Sequence, residues 1–321
     1  MYIVTGAVGF IGTCLVRELN NRGIENILIV DRLDKSSKWK NFQEMKFFDY
    51  IDADSFLEML YDFPDELADK VQGVFHLGAC SSTTEMNMNF LMENNVNYSK
   101  AVFEFCTAHQ VPLLYASSAA TYGDGENGYD DESDISALRP LNPYGQSKQL
   151  FDQWALKQTV TPPKWFGVKF FNVFGPFEYH KGEMRSVVHK SFEQINEVGK
   201  VRLFKSHKEG FADGEQLRDF VYGVDVARAC AEMLESGEGS LSGIYNMGTG
   251  EARSFKDLVT ATFEAMEKPV EIEYFDMPEN LRDQYQYFTE AKMNKFKSLL
   301  PEFKFLSLEK AVEDYVKNYL F

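Results

Sequence analysis

Three glycines, Gly6, Gly9 and Gly12, separate a short apolar run (Ile3-Val4) from a helix-patterned segment over Phe10 to Asn21. That spacing restricts the chain more than any other feature in it. Glycine permits a tight turn and lets the backbone come close to a pyrophosphate. The helix N-terminus behind it offers unsatisfied N–H groups and partial positive charge. A glycine triplet alone is equally compatible with an ordinary turn, so the surroundings matter. A second apolar run, Ile27 to Val30, ends in Asp31 about twenty residues beyond the glycines, where a carboxylate suits the hydroxyls of an adenosine ribose. Asp31 favours NAD because it repels a 2′-phosphate. Arg32, Lys35, Lys38 and Lys40 favour NADP because they can pair with one. On the residues alone both cofactors stay open.

The same alternation continues. Val74 to Leu77 and Leu113 to Ala116 read as buried strands, with a helix over Asn94 to His109 between them, and Trp165 to Phe171 reads as a further strand. The expected fold class is therefore α/β: a Rossmann-type, doubly wound parallel sheet with a smaller mixed α/β substrate domain. Ligands of such sheets bind at the carboxyl ends of the strands. The second half is less regular. Glu183 to Asn196, Val224 to Leu234 and Phe255 to Glu267 have helical spacing, Ile244 to Met247 reads as a strand, and the polar stretch Ser206 to Gln216 as a loop. The expected division is a dinucleotide-binding domain over 1–170 and a substrate domain over 171–321. The two interleave, with segments near 221–247 and 282–297 returning to the first.

The formal charge of −16 argues against nucleic-acid and anionic-membrane partners, both of which need clustered cations. Cys14, Cys80, Cys106 and Cys230 lie far apart with no C-x-x-C pair, so neither a metal site nor a disulfide framework is expected. No apolar run is long enough to span a bilayer, and the first residues enter a strand pattern with no basic leader. A cytoplasmic location with free thiols is the expectation.

The chemistry is read from Asn142-Pro143-Tyr144. Asn142 suits a helix N-cap and Pro143 the first helical position, while Leu150, Phe151, Trp154 and Ala155 give a core-facing stripe. Tyr144 then sits in the first turn, with Lys148 one turn later on the same face. A phenol with a pKa near ~10 is a poor base at neutral pH. A neighbouring ammonium favours the phenolate and makes proton transfer feasible. A lone Tyr/Lys pair is usually just helix surface. Here Leu113 to Ala116 runs into Ser117-Ser118 upstream, placing a hydroxyl at a strand end where it can bond a reacting alcohol or carbonyl oxygen.

Glycine loop, strand-end serine and Y-x-x-x-K together resemble the extended short-chain dehydrogenase/reductase superfamily over essentially the whole chain. Arg218-Asp219-Phe220-Val221-Tyr222 and Tyr245-Asn246-Met247-Gly248-Thr249-Gly250 resemble later motifs of its nucleotide-sugar members. Gly78 to Glu85, Tyr115 to Gly123, Phe171 to Pro176 with His180-Lys181-Gly182 after it, and Tyr285 to Thr289 are similar to segments of the ADP-L-glycero-D-manno-heptose 6-epimerases. That resemblance implies an isomerase of lipopolysaccharide core synthesis. Its substrate is ADP-D-glycero-D-manno-heptose, which is oxidised at C6, turned as the ketone and re-reduced on its other face. It also implies a homo-oligomer, pentameric in family members, with one tightly bound cofactor per subunit. The motifs and departures together favour NADP, with NAD as the close alternative.

Residue by residue, the resemblance makes Tyr144 one acid/base group and Lys181 the other, with a phosphate-binding loop cation as the alternative role for Lys181. Lys148 orients the nicotinamide ribose and tunes Tyr144, and Ser118 holds the reacting oxygen. It brings Gly6, Gly9, Phe10, Ile11, Gly12, Asp31, Arg32, Lys38, Leu77, Gly78, Ala79, Cys80, Ser81, Asn94, Tyr144, Lys148 and Val173 to the cofactor. Ser118, Asn172, Lys181, Glu183, Phe204, Arg218 and Tyr285 go to the substrate, with the Arg218 guanidinium on the ADP diphosphate. Leu77, Arg32, Ala53 and Glu183 depart from the residues usual in the family (glutamate, asparagine, lysine and serine), and Lys208 to Gln216 includes an insertion. His76 reads as a structural histidine, His180 and His189 as exposed residues flanking the Lys181 loop with contact to substrate as the alternative, and Cys80 as a small buried group near the cofactor. The rival readings are an epimerase acting at C4 of a UDP-hexose and a non-catalytic cofactor sensor. A dehydratase fits less well, because Thr121 is followed by Tyr122-Gly123 rather than an Asp-Glu pair.

Overall fold

A computed structural model describes residues 1–33, 35–237, 241–282 and 285–321. The strands are β1 (Tyr2–Thr5), β2 (Ile27–Asp31), β3 (Asp49–Asp52), β4 (Gly73–His76), β5 (Leu113–Ser118), β6 (Trp165–Phe170), β7 (Asn172–Phe174), β8 (Val201–Phe204), β9 (Leu217–Tyr222), β10 (Gly243–Met247), β11 (Ala252–Ser254) and β12 (Ile272–Phe275). Seven form one sheet in the order β10-β6-β5-β4-β1-β2-β3, with every pairing parallel. The chain winds outward both ways from β1, so a crevice opens between the carboxyl ends of β1 and β4. This is the expected doubly wound α/β fold.

The sheet is buried on both faces, which is why its strands are continuous apolar runs rather than alternating ones. Alternate side chains still go to opposite layers. Val4, Ile29 and Phe75 join the cluster containing Leu15, Val226 and Cys230. Ile3, Leu28, Val30 and Val74 join Phe56, Val102, Phe103 and Phe151 on the other side. A third cluster, built on Val188, Ile195, Leu203, Phe220, Leu258 and Val312, belongs to the small sheets β11-β9-β7 and β12-β8 and the helices around them.

Three element boundaries differ from expectation. The segment read as a strand to Phe171 breaks there: β6 ends at Phe170, Phe171 N–H donates to the Met247 carbonyl (3.1 Å), and β7 leaves to pair with β9. The helix expected over Asn94 to His109 is preceded by a helical turn Met88–Leu91 and a π-helical stretch Met92–Asn97, before the α-helix Tyr98–Ala108. The helix expected from Glu183 starts at Val187, because Ser186 caps it by accepting from His189 N–H (3.3 Å). Residues Tyr179–Met184 instead form a tight 3₁₀ segment, bent at Gly182 with φ 53°. β10, from late in the sequence, closes the far edge of the large sheet.

Candidate active site

The glycine loop is built for a close-approaching ligand. Gly6 has φ 67°, and a Cβ there would lie 2.7 Å from Gly78 N. A Cβ on Gly12 would lie 2.0 Å from the Gly6 carbonyl oxygen, so this glycine is what lets the helix Phe10–Asn21 sit against β1. Gly9 occupies the N-cap and offers no side-chain cap, leaving the first-turn N–H groups to face the cavity. These are the features a dinucleotide pyrophosphate requires, so the residues present fit a nicotinamide cofactor.

At the end of β2, Asp31 is buried, and each of its oxygens is engaged. Val8 N–H donates to one (2.8 Å), while Arg32 N–H (2.7 Å) and the Lys38 ammonium donate to the other. Lys38 thus lies against Asp31 and on the cavity wall. Arg32 points elsewhere: its guanidinium pairs with Asp54 and Asn94. Neither Arg32 nor Asn94 lines the cavity.

The reacting groups come from β5 and the helix Pro143–Leu156. Asn142 caps that helix by accepting from Gly145 N–H (2.8 Å), with Pro143 at its first position. This fixes Tyr144 and Lys148 on one face. The two serines part company. Ser117 turns inward and donates to Asp152 (2.6 Å), whereas Ser118 faces the cavity, hydrogen-bonded to Tyr144. Burial pushes the Tyr144 phenol above its ordinary value, opposed by the Ser118 hydrogen bond. The expected lowering by Lys148 is not what governs it. Lys148 is itself buried, its ammonium donates to the Ala116 carbonyl (2.9 Å), and burial lowers its pKa to about 8, partly offset by Asp152 and Cys80.

Lys181 approaches from the 3₁₀ segment after β7. Burial depresses its pKa and Glu178 raises it. Its ammonium lies 5.5 Å from the Phe10 ring centre, above the first turn of the glycine-loop helix. Glu178 anchors the segment: it is 1% exposed and accepts from Ser186 N–H (2.6 Å), Ser186 Oγ (2.5 Å) and Tyr315 OH (3.0 Å). On the far wall, Arg218 is buried beside Tyr285 and Phe255 and donates to the Leu217 (2.8 Å) and Gln286 carbonyls. Among the described residues it has no carboxylate partner, so it is a buried cation available to an anion. The adjacent Asp219 is structural. It accepts from Thr249 N–H (2.7 Å), Gly250 N–H (2.9 Å) and Ala291 N–H (3.0 Å), and a Cβ on Gly248 would lie 2.5 Å from it.

One cavity of about 950 Å³ joins these walls, a volume suited to two sizeable ligands. It brings together the glycine loop, Asp31, Lys38, Leu77, Gly78, Ala79, Ser81, Ser118, Tyr144, Lys148, Asn172, Val173, Lys181, Arg218 and Tyr285. It does not bring in Cys80, which is half-buried and tied through its backbone to Asn95 (2.8 and 3.0 Å). Glu183 is likewise outside; its side chain is 96% exposed and pairs with Lys190 (3.2 Å). Phe204 stands one ring back, edge-on to Tyr285 at 6.2 Å. His180 lines the cavity rather than lying exposed, and His189 is buried with Nδ1 3.0 Å from Tyr315 OH. His76 is buried between the Thr5 and Ser99 hydroxyls. Glu178, Asn95, Gln286 and Asn41 were not read from the sequence. Asn41 is fully buried, donates to the Val8 carbonyl (2.8 Å) and accepts from Tyr179, linking glycine loop to Lys181 segment.

Residues 2–248 match the model of the NAD-dependent epimerase/dehydratase family. The chain belongs to that family. Among its members, an ADP-L-glycero-D-manno-heptose-6-epimerase from Fusobacterium nucleatum is 50% identical, covering 100% of this chain and 98% of that protein. One of the same name from Nitratidesulfovibrio vulgaris is 47% identical over the same shares. The crystal structure of Helicobacter pylori ADP-L-glycero-D-manno-heptose-6-epimerase superposes with a TM-score of 0.80 at 27% identity, covering 98% of this chain and 94% of that one. Thermus thermophilus UDP-glucose 4-epimerase, in complex with NAD, gives 0.72 at 25% identity, covering 98% and 97%. A nicotinamide cofactor is thus common ground between the family and the glycine-loop geometry. Among the described residues no helix is long and apolar enough to cross a membrane.

Proposed function

We propose that this chain is an ADP-L-glycero-D-manno-heptose 6-epimerase, inverting C6 of the heptose in ADP-D-glycero-D-manno-heptose. The observation that carries the reading is the pair of proton-handling groups on one cavity: Tyr144 from the helix Pro143–Leu156 and Lys181 from the segment after β7, each substantially buried. An oxidoreductase with net turnover of cofactor needs one such group, whereas two on opposite sides of a cavity can each serve one face of a transient ketone. The relatives of that name, at 47–50% identity over the full chain, support the substrate assignment.

When bound, the nicotinamide supplies a reversible hydride acceptor. Gly6, Gly9 and Gly12 admit its pyrophosphate, and Lys148 meets its ribose. Ser118 and Tyr144 hold the sugar oxygen, and Tyr144 exchanges its proton. Lys181 exchanges the proton when the opposite face is presented. Arg218, with a planar fork and no acidic partner among the described residues, binds the ADP diphosphate between Tyr285 and Phe255. NADP is the proposed cofactor. Lys38 neutralises the Asp31 carboxylate that would otherwise repel a 2′-phosphate, and it lies on the cavity wall. A homo-oligomer in the cytoplasm, with the domain division at residue 170, completes the reading.

Incubation with ADP-D-glycero-D-manno-heptose and, separately, with UDP-galactose, followed by NMR of the sugar stereocentres, tests it. Inversion at C6 of the heptose is expected. No change there sinks the proposal, and inversion at C4 of galactose replaces it with the UDP-hexose reading. Acid release and mass analysis of the bound nucleotide separates NADP from NAD.

A further inference from the structure

Behind the reacting groups lies a cluster of polar side chains, each at most 2% exposed: Tyr115, Ser117, Thr121, Asp152 and Lys169. Its centre is an ion pair between the Lys169 ammonium and Asp152 Oδ2 (2.8 Å). Ser117 Oγ donates to that same oxygen (2.6 Å) and Tyr115 OH donates to Oδ1 (3.1 Å). Lys169 also donates to Thr121 Oγ1 (2.5 Å) and stands 5.2 Å from the Tyr122 ring centre. Burying two charges costs more than a well-packed apolar pair of similar volume, so the pair is not explained by stability.

Asp152 follows Lys148 by one helical turn, the i,i+4 spacing at which a lysine and a carboxylate ordinarily join. They do not join here. The Lys148 ammonium bonds to the Ala116 carbonyl instead (2.9 Å), and Asp152 has both oxygens occupied from β5 and β6. The second arm of the cluster reaches the serine. Thr121, which accepts from Lys169, donates to the Ser118 carbonyl (2.8 Å), in the 3₁₀ turn that Ser118 itself caps by accepting from Ala120 N–H (3.1 Å).

We propose that the buried Asp152–Lys169 pair is a positioning device: by saturating Asp152 it prevents that carboxylate from capturing Lys148, and through Thr121 it sets the turn that presents Ser118. Lys169 and Asp152 are positioning residues, touching neither substrate nor cofactor. The inference rests on Tyr144, Lys148 and Ser118 forming the reacting set, not on which sugar is turned over. Among the described residues the titratable groups facing Lys148 are Asp152 and Tyr144 on its own helix, Cys80 on the loop after β4, and His76 on β4. Of these, only Asp152 is in contact with Lys169.

The test uses Lys169→Met and Asp152→Asn/Lys169→Met in the full chain. The direct readout is the pH dependence of Lys148 reductive methylation, measured by peptide mass spectrometry, which needs no sugar substrate. In Lys169→Met the freed carboxylate draws in Lys148, so its methylation profile moves up by about one pH unit or more. Turnover falls roughly tenfold to a hundredfold. In the double variant no carboxylate remains to capture it, so the methylation profile returns, while turnover recovers only in part because the Thr121 contact to Lys169 is still missing. If Lys169→Met fails to fold, Lys169→Gln, which keeps a donor to Thr121 and loses the charge, carries the same expectation. A Lys148 profile unchanged in the single variant overturns the proposal, as does a double variant no better than the single one. If methylation responds as expected while no heptose is epimerised, it is the proposed function that fails and not this inference.

Discussion

His76 offers a prediction whose size follows from the structure. The ring is 3% exposed, stacked on Tyr98 at 5.7 Å, and has a hydroxyl at each nitrogen. Ser99 Oγ already donates to the Asn95 carbonyl (2.7 Å), so it accepts from His76 Nε2–H (2.9 Å). Thr5 Oγ1 accepts from Gly78 N–H (3.0 Å) and donates to His76 Nδ1 (2.7 Å). Both nitrogens are committed in the neutral form, and a proton on Nδ1 breaks the hydrogen bond that Thr5 donates there. Burial, aided by the Lys148 charge, lowers the pKa from 6.5 to about 3. The unfolded chain therefore binds a proton below its ordinary value and the folded chain does not, so stability falls as pH drops through 6.5, and the loss continues until about 3. Between pH 7.5 and pH 5.5 the loss from this one group is about 1.4 kcal/mol, and by pH 5.0 about 2 kcal/mol. With a urea slope of roughly 3 kcal/mol per molar, the pH 5.5 midpoint drops by about 0.5 M. His76→Gln keeps a donor and an acceptor but does not titrate in this range. Urea unfolding followed by tryptophan fluorescence at both pH values compares the two proteins. Equal midpoint shifts for wild type and variant would refute the assignment of a buried neutral imidazole.

Lys181→Met is expected to leave the melting temperature unchanged or higher, since burial disfavours the charge, while kcat falls roughly a hundredfold to ten-thousandfold; near-normal turnover removes it as an acid/base group. Gly12→Ala places a Cβ against the Gly6 and Ala7 backbone, so about 1–3 kcal/mol of stability and the bound nucleotide are lost together, as read by calorimetry and acid release. Arg218→Lys keeps the charge but loses the fork, so KM for the nucleotide sugar rises roughly tenfold with a smaller change in kcat; steady-state kinetics at fixed ionic strength checks this.

Where local rules suffice, the sequence was readable. The continuous apolar run Ile27 to Val30 could only be a strand covered on both faces, and Asn142-Pro143 placed the helix start, hence Tyr144 and Lys148, to the residue. What was not readable depends on partners distant in the chain. Nothing near Glu178 shows that it meets Ser186 and Tyr315, and nothing near Asn95 shows that it bridges Cys80 and Ser147. His189 looks exposed until Tyr315 is folded over it. The tuning of Tyr144 was misjudged for the same reason: spacing gives the proximity of Lys148, but the burial that raises the phenol is a property of the assembled cavity. Ser186 and Asn87 are local signals of the same kind, capping residues that start helices at Val187 and Met88 rather than at Glu183 and Asn94.

The edge position of β10 carries a consequence for synthesis. β6 pairs with β5 on one side as soon as both are made, but its other edge waits for Gly243–Met247. At ribosomal speeds of about 5–20 residues per second, the stretch between Phe166 and its partner Gly243 takes roughly 4–15 s to emerge. During that time Trp165, Phe166 and Val168 sit on an open, apolar, parallel edge, the kind of surface that recruits other chains. A nascent chain that has emerged only as far as residue 170 is therefore expected to aggregate or be held by chaperones, and one that has emerged beyond residue 250 to escape both. The last strand of the sheet, though it adds no residue to the cavity lining, decides when the protein becomes safe to release.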